Sequence, residues 1–109
     1  MTAEAIGTII QGTRRPFQIN LVGDGRLDLT TVTGVDLYVR RNAGVTETWT
    51  MTIVDGATAG ALSATYAPTE SGPGSVTVAK ERIHCRPILH VPSGPDVEVS
   101  FFILFVEER

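Results

Sequence analysis

The chain has little of what several function classes require. It holds one cysteine, Cys85, in 109 residues. A lone thiol closes no internal disulfide, so the fold is not stapled in the manner of small secreted scaffolds. Aromatic residues make up 6% of the chain and charged residues 19%, with a formal net charge of −3. No basic block stands out; the tight pairs are Arg14–Arg15 and Arg40–Arg41, and each reads as a strand end, not a phosphate site. Duplex-binding proteins neutralise several phosphates with clustered cations, so nucleic acid is not an expected partner. The longest apolar run, Phe101 to Val106, falls far short of the ~20 residues of a spanning helix, so no membrane is expected either. The start of the chain lacks the basic opening and apolar core of a secretory leader, so synthesis in a cytoplasm is the expectation.

What is present is alternation. Phe17-Gln-Ile-Asn-Leu21, Val35-Asp-Leu-Tyr-Val39 and Trp49-Thr-Met-Thr-Ile53 each place apolar and polar residues in turn. Successive side chains on a strand point to opposite faces, so this is the pattern of a half-buried strand. Gly23-Asp-Gly25, Asn42-Ala-Gly44, Asp55-Gly56, Ser71-Gly-Pro-Gly74 and Pro92-Ser-Gly-Pro95 supply the turns between runs. The pattern predicts strands near 5–11, 16–23, 34–41, 46–54, 61–67, 74–82, 85–91 and 96–107. Residues 1–15 form an N-terminal segment with a possible first strand, and residues 16–109 a single all-β domain. Short strands at this spacing indicate a sandwich or a barrel. The run from Ala79 to Arg86 holds good helix formers, but Pro87 blocks extension, and a strand that bends or bulges there is expected.

A search for chemistry returns little. His84, Cys85 and His90 are near in sequence, yet on a strand Cys85 faces away from both histidines, and the two histidines are ~20 Å apart at ~3.3 Å per residue. Metal ligands must lie about 2 Å from one ion, so no metal site is expected. No Gly-x-Ser-x-Gly elbow is present, Ser93 sits in a turn where serine is common, and no glycine-rich stretch carries a Gly-Lys-Ser/Thr ending. The expectation is no catalytic residue, no cofactor and no enzyme.

The order of elements resembles a known family. Phe17-Gln-Ile-Asn-Leu-Val22 ends in Gly23-Asp-Gly25, followed by Leu27-Asp-Leu29 and Val35-Asp-Leu-Tyr-Val-Arg40. Then come Glu47-Thr-Trp49, Ile53-Val-Asp-Gly56, the tyrosine-bearing Gly60 to Thr69, a Pro73–Gly74 step into Ser75-Val-Thr-Val78, and His90-Val-Pro-Ser93 before the last strand. From Phe17 to Val106 this resembles the immunoglobulin-like N-terminal domain of tailed-phage baseplate upper proteins. The resemblance implies an immunoglobulin-like antiparallel β-sandwich of about seven to eight strands. It also implies a virion structural role on tail, baseplate, fibre attachment or, as decoration, the head surface. Partners would be other virion proteins, in a homo-oligomer or multicopy assembly, with the protein made in the host cytoplasm. The alternative is a small ligand- or carbohydrate-binding sandwich, for which Tyr38 is the main free aromatic.

The final strand suggests where contact occurs. Continuing the alternation from Val97 and Val99 puts Phe101, Ile103 and Phe105 in the core and Phe102, Leu104 and Val106 on the outer face. Those three are the candidate interface, since a strand apolar on both faces is normally covered on both. The cover is either another subunit or the segment Ile6 to Ile10 folding across it.

Overall fold

A computed structural model describes residues 2–6, 9–14, 16–25, 27–42, 44–54, 56–69, 75–78, 80–92 and 94–108. The strands are β1 (Thr2–Ile6), β2 (Ile9–Ile10), β3 (Phe17–Val22), β4 (Gly34–Arg40), β5 (Thr46–Ile53), β6 (Ala61–Tyr66), β7 (Arg82–His90), β8 (Val97–Glu98) and β9 (Phe102–Glu107). They form one sheet in the order β1-β3-β6-β5-β4-β7-β9-β2, with β8 also on β7, and the sheet nearly closes into a barrel. The protein is all-β; among the described residues a single 3-10 turn, Leu29–Thr31, breaks the strand pattern, started by Asp28, whose carboxylate accepts from the Thr30 backbone N–H.

Connectivity follows from which strands are joined by short turns. β4, β5 and β6 run as a meander, β7 returns beside β4, and β3 lies beside β6. Both arrangements are Greek keys, with β4–β6 shared between them. β5 meets β6 only at Thr52 and Ile53, opposite Thr65 and Ala64, so the sheet turns a corner there. Closure on the other side comes from the N-terminal segment: β1 pairs antiparallel with β3, and β2 pairs parallel with β9. The N-terminal segment, one of the two covers considered for the last strand, joins its edge through Ile9 and Ile10 instead of lying across it, with Ile9 buried.

Alternation dictates the core. Phe17, Ile19 and Leu21 of β3, Val35, Leu37 and Val39 of β4, Trp49 and Met51 of β5, and Ile83, Cys85 and Leu89 of β7 all point inward. Trp49 stacks on Tyr66 at 4.7 Å between ring centroids, and Phe17 meets both rings edge-on. Two long connections cap the ends. The β3–β4 crossover buries Leu29 at one end, where Leu29 N–H donates to Ala59 and Gly23 N–H to Gly60.

The β6–β7 connection crosses the other end, where a strand over 74–82 was expected. Among its described residues only an isolated bridge, Thr69 to Ser75, precedes β7. Its backbone is tied by other means: Gly12 N–H donates to Val76, the Gln11 side chain to Thr77, and Arg41 to Ser75. Lys80 takes a left-handed φ of 60° at the turn into β7, a conformation non-glycine residues seldom adopt. β7 then runs through Pro87 as one strand in unbroken register with β4. The Pro73–Gly74 step, Asp55, Arg15 and Ser93 lie outside the described residues.

One buried ionic cluster holds this end. Glu81 is 3% exposed. Arg41 donates Nε–H and an Nη2–H to its two carboxylate oxygens, each at 2.7 Å, and Asn42 N–H adds a third bond at 3.3 Å. Arg41 also donates to Glu47 and sits over the Trp49 ring, 5.9 Å from its centroid, while Trp49 Nε1–H donates to Glu47 at 2.8 Å. The cluster links the start of β7 to the β4–β5 hairpin.

Candidate functional site: the outer face of β4, β7 and β9

The site begins with one extra residue. Leu89 is opposite Val97 and Ile88 opposite Glu98. Continued unbroken, this register would set Cys85 opposite Phe101, but Cys85 is opposite Phe102. The strand running from β8 into β9 therefore carries a β-bulge within 99–101. Pro87 stands across from it. Its carbonyl accepts from Val99 N–H, and since a strand residue's N–H and C=O point the same way, the N–H that proline lacks would also have faced the bulge. The ladder to β4 on the other side of β7 loses nothing.

A one-residue slip moves every later side chain to the other face, and this corrects the expected interface. Leu104 is 5% exposed and Val106 0%, both in the core, with Phe102 half-buried against it. The residues outside are Phe101, Ile103 and Phe105, at 58%, 49% and 48% exposed. An apolar stripe does line the outer face of the last strand, but it is the complementary set.

Cross-strand register builds the rest of the face. Arg82 is opposite Phe105, and His84 lies between Ile103 on β9 and Arg40 on β4. Arg86 is opposite Tyr38, itself opposite Thr48 on β5. The His84 ring stacks on Phe101 at 6.1 Å. Between them runs an open groove of ≈ 620 Å³, bordered by Tyr38, Arg40, Thr48, His84, Arg86 and Phe101. Arg86 approaches Glu98 at 3.9 Å, both well exposed, a loose pair of little energetic weight. Neither Arg40 nor Arg82 makes an ion pair among the described residues.

The histidines and the thiol occupy separate environments along β7. Cys85 points into the core, where burial pushes its thiol pKa up to about 12. Such a thiol is a small apolar group, not a nucleophile. His90 lies between two carboxylates, Asp36 at 2.8 Å from Nε2 and Asp96 at 2.9 Å from Nδ1. Both neighbours accept, so only the imidazolium, donating from both nitrogens, satisfies them. The Asp36 and then the Asp96 hydrogen bonds raise the His90 pKa above 6.5. This clamp fastens the 94–96 turn to β4. Among the described residues no three His, Cys, Asp or Glu side chains are placed to hold a metal ion, and no helix is long and apolar enough to cross a membrane.

Sequence reasoning singled out Tyr38 but not Arg40, Arg82 and Arg86 as its neighbours. The alternation Arg82-x-His84-x-Arg86 was visible; that β7 would sit between β4 and β9, and so bring these residues beside Tyr38 and Ile103, was not. Scanned against models of known protein families the chain matches none, and no curated protein is significantly similar to it in sequence.

Proposed function

We propose that the protein is a non-enzymatic structural module that docks on a tailed-phage virion through the outer face of β4, β7 and β9. The carrying observation is the exposed stripe Phe101, Ile103 and Phe105, across β7 from Tyr38. A chain with a core this well closed has no folding reason to leave three large apolar side chains on one strand in water, and contiguous exposed apolar surface marks interaction sites. Fully burying each would contribute roughly 1.5–3 kcal/mol, enough for the centre of an interface. Many weak copies on one particle would reinforce one another through multivalency. The immunoglobulin-like sandwich assignment belongs to the same proposal; the paired Greek keys and the order of motifs from Phe17 to Val106 support it.

The test is mass spectrometry of purified particles from a host producing the wild-type chain or an Ile103→Asp/Phe105→Asp variant. Wild type should be incorporated in fixed stoichiometry and the folded variant excluded. Absence of the wild type, or equal incorporation of both, would defeat the reading. The groove beside Tyr38 and Phe101 favours a second reading, a small ligand- or carbohydrate-binding sandwich. Saturable binding of a neutral oligosaccharide, abolished by Tyr38→Ala, would favour it over docking.

A further inference from the structure

We infer that this face receives an extended, acidic segment of a partner polypeptide, lying along β7 with apolar side chains set against β9. The inference rests on the docking reading and names the chemistry of its partner.

Three parallel stripes make up the face. β9 contributes Phe101, Ile103 and Phe105; β7 contributes Arg82, His84 and Arg86; β4 contributes Tyr38 and Arg40. Outward residues on one strand are two apart, about 7 Å at ~3.4 Å per residue, so Arg82 and Arg86 stand about 14 Å from one another. An extended peptide repeats its side chains at the same interval. Carboxylates on one side of such a segment would meet the β7 guanidiniums in register, and guanidinium–carboxylate forks are strong and directional. Apolar residues beside them would fall on the β9 stripe.

Charge selects the partner. The chain carries a net charge of −3, yet three arginines converge here. Among the described residues the acids on this face or lining its groove are Glu47, held by Arg41 and Trp49, Asp36, engaged by His90, Glu98, loosely paired with Arg86, and Glu107 at the end of the β9 stripe. Arg40 and Arg82 make no ion pair among the described residues, so they leave uncompensated positive charge at this face of a negative protein. A second copy docking about a two-fold axis centred on β7 would set the arginine stripe against its own image, and like charges in contact oppose association. Nucleic acid would want a longer cationic track and has no use for Ile103. A sugar chain would want several free aromatic faces, but Phe101 gives one of its faces to His84, and Tyr38 is the other aromatic ring lining the groove. Guanidiniums alternating with aliphatic and aromatic side chains suit a polypeptide.

The experiment measures fluorescence anisotropy of four labelled probes on the full chain. These are a short peptide of alternating Glu and Phe, its Lys and Phe counterpart, an oligo-dT and an oligogalacturonate. The Glu–Phe probe should bind saturably and weaken with salt, and the Lys–Phe probe should not bind. Arg82→Ala/Arg86→Ala and Phe105→Ser should each weaken binding about tenfold. All three substitutions are at exposed positions, and thermal melts confirm that each variant folds. Amide shifts should map to residues 38–40, 82–86 and 101–105. The inference is overturned if the Glu–Phe probe does not saturate or ignores the substitutions. Tighter binding of oligo-dT or oligogalacturonate at the same residues, or self-association of the protein through this face, overturns it equally. The two readings fail separately. Particles that take up an Arg82→Glu/Arg86→Glu variant but exclude Ile103→Asp/Phe105→Asp would keep the docking role and remove the acidic partner. Probe binding by a chain absent from particles would do the reverse.

Discussion

Replacing Glu81 with Gln isolates the ionic cluster at the β7 entry. The substitution keeps the shape but removes the charge, and its amide NH2 faces an Arg41 group that can only donate. Two charge-assisted bonds of 2.7 Å are at stake, each worth about 1.5–3 kcal/mol. Gln keeps one acceptor, and Arg41 keeps Glu47 at 3.3 Å and the Ser75 carbonyl at 2.9 Å, so the loss is about 3 kcal/mol, at the low end of the cost of breaking a buried pair. The pH dependence has a definite sign. Arg41 holds the Glu81 carboxyl below its ordinary 4.5, outweighing the opposing effect of burial. A group with a depressed folded pKa contributes stability above its unfolded value and loses it as pH falls through the folded one. Urea unfolding of wild type and Glu81→Gln should therefore show a constant gap between pH 7 and about 5, shrinking steadily below 4.5. A gap under about 1 kcal/mol at pH 7, or one that does not narrow in acid, would refute the assignment of the cluster as a stabilising ion pair.

The bulge is tested by a pair of truncations: Leu104→Ala should cost about 2–5 kcal/mol and Ile103→Ala within about 0.5, and denaturation midpoints in the reverse order would restore the unbroken alternation. Trp49 is 2% exposed and stacked, so Trp49→Ala should cost about 3–5 kcal/mol, and the native indole should emit well to the blue of free tryptophan, which an exposed ring would not. For His90 the sign is opposite to that of Glu81. Its raised pKa means the clamp stabilises fully below 6.5 and is lost as pH climbs through the higher folded value, so the melting temperature of wild type over His90→Asn should be larger at pH 5.5 than at pH 8.5, a difference salt should reduce. Cys85, with its thiol pushed up to about 12, should react with a disulfide reagent only after unfolding, and rapid native labelling would place it outside the core.

The sequence by itself determined that the chain is all-β and which residues of β3, β4 and β5 face inward, because strand periodicity is local and Phe17, Val35 and Trp49 each begin a run that never breaks step. It placed Arg40 at a strand end for the same reason. Alternation could not decide the face of the last strand, because the bulge at 99–101 is set by a partner: Pro87, twelve residues before Val99, cannot donate, and the pairing with β7 resumes one residue out of step. The Arg41–Glu81 pair was equally hidden, since it joins residues forty apart whose meeting depends on how the β6–β7 connection crosses the end of the barrel. The candidate site was half legible: alternating runs of arginine and of apolar residues stood in the sequence, but only the order β4-β7-β9 set them side by side. Local sterics fix which way a side chain points along a strand; the neighbour it meets is settled by long-range pairing, which depends on every strand at once.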